Sequence, residues 1–230
     1  MKPFRFQQFE IYQSKDVFRV GTDGVLLGAL TPISDCRRVL EVGVGTGLVS
    51  LMLAQRNSSM SIDAIDVNPN AVELAQRNFS LSPFSKRLAV FLSDYNMWKP
   101  SEKYDLIVCN PPYFEPNPSM KDVLARQQTE LTFTQMMFQS SNLLTDEGSL
   151  SMIIPAFSCK ELEKLGLQNN LVLSRKTSIY GIKGGEVKRM ILEFSKKTKD
   201  LVEEDFIIEK SPRNYSDQYI ELTKAFHVFS

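Results

Sequence analysis

Four consecutive residues, Asn110-Pro111-Pro112-Tyr113, directly follow the apolar run Tyr104-Asp105-Leu106-Ile107-Val108-Cys109. That run is short, β-rich and bounded by turn residues, which predicts a buried strand. Two successive prolines forbid continuation into a helix or a central strand, because each fixes φ and lacks an N–H. The tetrapeptide is therefore a rigid loop at a strand's carboxyl end, the edge where open α/β sheets bind ligands. It carries a carboxamide, which both donates and accepts hydrogen bonds, and an aromatic face for stacking. A flat substrate bearing an amino or amide nitrogen suits that pair. A plain structural turn would account for Asn-Pro alone. The second proline and the ring favour chemistry, provided a cofactor site lies upstream.

Upstream, Arg38-Val39-Leu40-Glu41-Val42 runs into the glycine-rich turn Gly43-Val44-Gly45-Thr46-Gly47, and a helical run from Leu48 to Ala54 follows. Such glycines permit a tight turn and let a ligand approach backbone N–H groups, as at the opening of a doubly wound α/β unit. The dinucleotide fingerprint differs: it needs a further glycine two residues on and places a pyrophosphate over the helix start. Here Glu41 precedes the glycines, where a carboxylate repels a pyrophosphate and attracts an ammonium. The next strand, Ser61 to Asp66, ends in an acid about twenty residues past the glycines, where these folds hold ribose hydroxyls. Asp63 is the competing acid, but it sits mid-strand and Asp66 sits at the exit. A third strand, Arg87 to Leu92, leads into Ser93-Asp94, and the same topology places Asp94 to accept from an adenine amino group. Any one of these acids alone reads as a turn or a cap. Three strands ending this way read as a site.

The elements needed to position these groups are legible around them. Phe4, Phe6, Phe9 and Ile11 predict a strand or hairpin arm lying on the domain. Thr22 or Asp23 is placed to cap the apolar helix beginning near Val25. Gly21 and Gly24 flank that pair and leave room for a ligand, a second role for both residues. Pro69 marks a first helical turn. Further strands are expected at Gly148–Pro155, from Leu171, and over Val187–Phe194, with a short helix from Ser158 to Gly166 and a hairpin connection at Tyr180–Glu186. Thr129 or Thr132 caps a helix reaching Leu143. The loop from Phe114 to Gln128, with Lys121 and Arg126, reads as a lid facing the substrate. The tail, Phe206–Ile208 and then Tyr215–Phe226, reads as a strand and a helix packing back on the sheet. The run Lys196-Lys197-Thr198-Lys199 reads as solvated surface; the alternative joins it with Lys183, Lys188 and Arg189 into a phosphate-binding patch.

Composition narrows the classes. Of 230 residues, 43% are hydrophobic and 23% charged, and Lys plus Arg equals Asp plus Glu at 27 each. That is a globular chain with no global field, so a nucleic acid would be held by a local patch. Cys36, Cys109 and Cys159 are too scattered for a metal site or a disulfide framework, which points to a reducing cytoplasm. No apolar leader and no membrane-length run is present. The single histidine, His227, argues against zinc hydrolase and Ser-His chemistry.

The motif Glu41-x-Gly43-x-Gly45-x-Gly47 resembles motif I of the class I S-adenosylmethionine (SAM) methyltransferases. Joined to Asn110–Tyr113, it resembles the enzymes that methylate exocyclic nitrogens: N6-adenine, N2-guanine and N5-glutamine methyltransferases. Arg19-Val20-Gly21-Thr22-Asp23-Gly24-Val25-Leu26-Leu27-Gly28, Ala125-Arg126, Leu131-Thr132-Phe133 and the ending Tyr215 to Lys224 narrow the likeness to the tRNA1(Val) adenine-N6 methyltransferase family. That resemblance implies a Rossmann-like α/β domain, with residues 1–36 as an N-terminal strand and cap region, 37–195 as core and 196–230 as an extension. Its sheet is expected to be mixed and seven-stranded, with helices on both faces and the last strand antiparallel. It implies SAM as cofactor, tRNA as partner, no metal, no membrane and a monomer. Thr22, Asp23, Glu41, Gly43, Gly45, Gly47, Asp66, Asp94 and Asn110 would hold the cofactor. Asn110 and the Pro111 carbonyl would orient the target amine, with Pro112 stiffening the loop and Tyr113 stacking on the base. Cys109, inside a strand, is not expected to be a nucleophile. A protein N5-glutamine methyltransferase remains the nearest alternative, although only about forty residues precede the glycine turn and those enzymes carry an N-terminal helical domain. A DNA adenine methyltransferase would need an added recognition domain. An RNA guanine-N2 enzyme and a non-catalytic SAM- or RNA-binding module complete the alternatives.

Overall fold

In the computed structural model, residues 2–17, 19–111 and 131–227 are described. A small hairpin opens the chain, β1 (Phe4–Arg5) against β2 (Glu10–Ile11), as the aromatic alternation predicts. The elements that follow are α1 (Thr22–Leu30), β3 (Arg38–Val42), α2 (Leu48–Arg56), β4 (Ser61–Asp66), α3 (Pro69–Ser80), β5 (Leu88–Leu92) and β6 (Tyr104–Cys109). Then come α4 (Phe133–Leu143), β7 (Leu144–Pro155), α5 (Cys159–Gln168), β8 (Val172–Ile182) and β9 (Val187–Ser195). The chain ends in β10 (Val202–Ser211), β11 (Asn214–Tyr215) and α6 (Asp217–Thr223). Thr132 caps α4 through a capping box with Gln135. The competing cap Thr129 lies outside the described residues.

Among the described residues the main sheet has nine strands in the order β11-β10-β8-β9-β7-β6-β3-β4-β5, where seven were expected. The expected seven are β3 to β9. They are parallel except β9, which runs antiparallel to both β7 and β8. The two additional strands come from the tail: β10 pairs in parallel with β8, and β11 pairs with β10. Without them the eleven-residue β8 would present a long edge of unpaired backbone groups. The tail thus covers an edge that the strand pattern alone did not reveal.

Alternation along the strands divides the core in two. Val39, Leu106, Val108 and Ile153 face one side with α1, α2 and α3, together with Phe6, Phe9 and Tyr219 from the two ends of the chain. Leu40, Val42, Ile107, Cys109 and Met152 face the other side with α4 and α5. The chain ends meet: Gln7 Nε2 donates to the carbonyls of Lys224 and His227 at 2.6 and 2.9 Å, and His227 stacks on Phe6.

Register brings the strand exits into line. Val42 lies opposite both Ile65 and Cys109, Cys109 opposite Met152, and Asp66 opposite Leu92. Gly43, Asp66, Asp94 and Asn110 therefore leave the sheet at one edge. Because β9 is antiparallel, Arg189 pairs with Pro155 at that same edge, whereas Ser195 pairs with Ser149 at the other. The run Lys196–Lys199 is thus at the opposite end of β9 from Lys188 and Arg189, and they form no common patch. Lys196 Nζ donates to the Leu144 carbonyl at 2.8 Å and is largely covered, whereas Lys197, which pairs with Glu147, and residues 198 and 199 are exposed.

Candidate active site at the carboxyl edge of the sheet

The glycine turn is built around positive φ, +77° at Gly43, +51° at Gly45 and +80° at Gly47, a region that side-chain-bearing residues enter only at a cost. The three glycines differ in what surrounds them. A Cβ on Gly43 or Gly45 would meet nothing within 4 Å, so both border open space. A Cβ on Gly47 would lie 2.5 Å from Cε1 of the buried Phe79. Gly47 is required by the packing of α3, and Gly43 and Gly45 form a cradle.

The backbone amides of that turn are already partnered. Gly43 and Val44 donate to the Ile65 carbonyl at 2.9 and 3.0 Å, and Gly45 donates to Asp66 Oδ2 at 3.0 Å. A carboxylate thus takes an amide that a phosphate-binding turn would keep for its ligand. The other oxygen of Asp66 accepts from the Asn68 amide at 2.9 Å, which locks the turn into α3. Asp94 is exposed and accepts from the Asn96 amide at 2.8 Å, at the next strand exit along.

Glu41 differs from the other acids. It is 3% exposed, and its carboxylate accepts from the Ser50 amide at 2.9 Å and from the Ser50 hydroxyl. Burial pushes its pKa up to about 8; the Ser50 hydrogen bonds pull down and the charge of Asp66 adds to the rise. The side chain fastens the first turn of α2 beneath the glycines.

Asn110 leaves β6 half-buried, and a Cβ on Gly24 would lie 4.0 Å from its Nδ2. The Thr22-Asp23-Gly24 entry and the Asn-Pro loop, far apart in sequence, are therefore neighbours. Thr22 and Asp23 are not caps: the N-cap of α1 is Gly21, without a side-chain hydrogen bond. The carboxylate of Asp23 instead accepts from Arg189 Nε at 3.1 Å and ties α1 to β9. Pro111 is half-buried beside Asn110. Pro112, Tyr113 and the expected lid with Lys121 and Arg126 lie outside the described residues. Burial raises the pKa of all three cysteine thiols, to about 11 at Cys36 and Cys159 and further at Cys109, which leaves none of them an activated nucleophile.

One residue escaped the reading of the sequence. Asn78 is fully buried; its Nδ2 donates to the carbonyls of Thr46 and Tyr12 at 2.9 and 3.1 Å, and its Oδ1 accepts from the Tyr12 amide at 2.9 Å. It joins the glycine turn, α3 and the N-terminal segment. The available signal was its place on a helical stripe with Ala71, Ala75 and Phe79, a polar residue where the period demands an apolar one.

Residues 11–172 match the model of the methyltransferase small domain. Over 230 residues, all of both chains, the sequence is 51% identical to a tRNA1(Val) (adenine(37)-N6)-methyltransferase of a Flavobacteriaceae bacterium. Two proteins of the same name, from Bacteroides fragilis and Aliivibrio fischeri, are each 36% identical and matched over at least 97% of both chains. The chain belongs to the tRNA1(Val) (adenine-N6)-methyltransferase family. Its fold is that of the class I methyltransferases. A predicted O-methyltransferase from Agrobacterium tumefaciens superimposes with a TM-score of 0.70 at 20% identity, over 89% of this chain and 96% of that one. A putative RNA methyltransferase from Pyrococcus horikoshii gives 0.57 at 19% identity, over 76% and 81%.

SAM fits this methyltransferase on structural grounds. The cradle at Gly43 and Gly45 is one that side chains would fill, and it adjoins Asp66 and Asp94 at successive strand exits. Val67, next to Asp66, is 63% exposed and offers an apolar surface there. Among the described residues no cluster could hold a metal ion, and no helix is long and apolar enough to cross a membrane.

Proposed function

We propose that this methyltransferase methylates N6 of an adenine in tRNA, the base 3′ to a valine anticodon, in the cytoplasm. One observation carries the reading: Asn110 stands at the exit of β6, beside the α1 entry and in line with the glycine cradle and Asp66. The full-length likeness to proteins of that name supports the choice of substrate.

When bound, SAM supplies an electrophilic methyl group. Asp66 would accept from its ribose hydroxyls and Asp94 from its adenine amine, and Gly43 and Gly45 would leave it room. Glu41, buried under the turn with its pKa raised, serves the cofactor indirectly by holding α2 and the glycine turn together through Ser50. The substrate amine is a weak nucleophile because its lone pair is delocalised into the ring. The Asn110 side-chain oxygen and the Pro111 carbonyl accept its two N–H groups, draw the nitrogen toward tetrahedral geometry and turn the lone pair out of the ring plane. Holding the two reactants in this way is worth up to ~7–11 kcal/mol. No strong base is needed: as the new C–N bond forms and the methyl–sulfur bond breaks, the amine proton becomes acidic and passes to solvent. Tyr113 supplies the stacking face for the base. A loop adenine is already partly unstacked, so presenting it costs less than extrusion from a duplex.

The test is labelled SAM with the purified protein, total tRNA and a protein extract, followed by nucleoside analysis. Label recovered as N6-methyladenosine in tRNA is the expected result. Label recovered as N5-methylglutamine in protein would replace this reading with the glutamine methyltransferase.

A further inference from the structure

Beside the proposed catalytic loop is a second recess of about 240 Å³, between the N-terminus of α1, the tip of the β8–β9 hairpin and the C-terminal extension. Its walls include Asp23, Lys188, Arg189, Tyr215 and Tyr219. The two tyrosines stack at 4.5 Å with planes 22° apart. The stack continues inward through His227 at 6.2 Å, then Phe6 at 5.7 Å and Phe9 at 4.7 Å, each pair within 26° of parallel. Phe6, Phe9 and Tyr219 are buried, and Tyr215, at the outer end, is 44% exposed. An exposed ring backed by a rigid column is a stacking platform whose order is already provided by the fold.

The charges around that platform are uneven. Asp23 is paired with Arg189 at 3.1 Å, which leaves Glu209, whose carboxylate accepts from the Arg213 amide at 3.1 Å, as the remaining acid of the wall. Lys183 and Lys188 are exposed, and neither has a carboxylate partner among the described residues. The recess therefore offers an aromatic face with the exposed ammonium of Lys188 in its wall, opposed by one carboxylate, that of Glu209, and with Lys183 exposed on the same hairpin tip. Its volume is below the roughly 300–1,000 Å³ of pockets that enclose a whole small ligand, which suits one base of a longer strand. It also shares a wall with the proposed active site, because Asp23 precedes Gly24, the neighbour of Asn110.

We infer that this recess binds a nucleotide flanking the target adenine, its base stacked on Tyr215 and its phosphate held by Lys188. This rests on the tRNA reading given above, and it explains how a chain without net charge holds a polyanion through a local surface. The C-terminal extension then does more than cover β8, because it carries the stacking face.

The experiment measures anisotropy of a fluorescein-labelled single-stranded heptanucleotide with an anticodon-loop sequence, titrated with the full-length protein at several salt concentrations. Turnover of the intact tRNA is measured in parallel. Tyr215→Ala should weaken binding between about 5-fold and 150-fold, the range for loss of one stacked base, and Tyr215→Phe should bind as wild type does. Lys188→Ala should lower the slope of log affinity against log salt by about 0.7, the value for one phosphate of a single strand. In turnover, both alanine variants should raise KM for tRNA and leave kcat and SAM affinity unchanged. Equal binding by wild type and Tyr215→Ala would overturn the inference, as would an unchanged salt slope in Lys188→Ala. Wild type that binds the oligonucleotide through Tyr215 yet methylates no tRNA would sink the methylation reading alone. A glutamine-bearing peptide that displaced the oligonucleotide from wild type and not from Tyr215→Ala would assign the recess to a protein substrate and overturn the inference.

Discussion

Replacing Gly47 by alanine separates the two jobs assigned to the glycine turn. At φ +80° an alanine enters the left-handed region, at a cost of about 1–2 kcal/mol. Its Cβ would also lie 2.5 Å from Phe79 Cε1 and 3.2 Å from Cζ, and that ring is 1% exposed in the core, so it has nowhere to swing. Overpacking of this kind costs about 1–3 kcal/mol. The sum, about 2–5 kcal/mol, lowers Tm by about 4–20 °C for a chain of this size. Gly45→Ala carries only the backbone cost, since its Cβ meets nothing within 4 Å. It should melt about 2–8 °C below wild type and lose SAM affinity, because the methyl group occupies the cradle. Thermal unfolding followed by circular dichroism, with calorimetric titration of SAM, reads both effects. A Phe79→Leu change should cost less in the Gly47→Ala background than in wild type, the coupling expected of residues in contact. Equal melting of Gly47→Ala and Gly45→Ala, together with no coupling to Phe79, would refute the division of labour.

Other outcomes follow from the same geometry. Asn110→Ala should nearly abolish turnover while weakening calorimetric SAM binding far less than Asp66→Ala does; the opposite pattern would exchange their main roles. Asn78→Ala removes three hydrogen bonds and strands buried backbone groups, and should cost about 2–4 kcal/mol in chemical denaturation. A loss below about 0.5 kcal/mol would mean that the glycine turn does not depend on this bridge. Glu41 has a folded-state pKa near 8, against an ordinary value of 4.5. The folded state therefore holds its proton longer than the unfolded chain does. The stability of wild type relative to Glu41→Gln should be greatest below pH 4.5, fall through the window from 4.5 to about 8, and level off above it. Parallel stability curves for the two proteins would show that Glu41 is not buried in this way.

The parts of the site legible in the sequence are those governed by local rules. Strand exits at Val42, Asp66, Leu92 and Cys109 follow from short β-rich runs ended by glycine, acid or proline. The rigid placement of Asn110 follows from two prolines, which need no partner to stop a strand. Glycine at 43, 45 and 47 follows from the left-handed turn. Topology then brings these exits to one edge, because parallel strands with crossover helices all end on the same side. Tertiary structure decided whatever depends on which distant residue arrives as neighbour. Asp23 reads as a helix cap until β9 brings Arg189 to it across 166 residues. A joint patch of Lys188 and Lys196 stays open as the alternative to solvated surface until the direction of β9 carries them to opposite edges. Glu41 reads as an open carboxylate until α2 closes over it, and the tail reads as packing back on the sheet at no stated place until the bare edge of β8 accepts it. A side chain's type and local turn chemistry are written in its neighbours along the chain; its pairing and its charge state depend on neighbours in space, which are set only when the sheet is assembled.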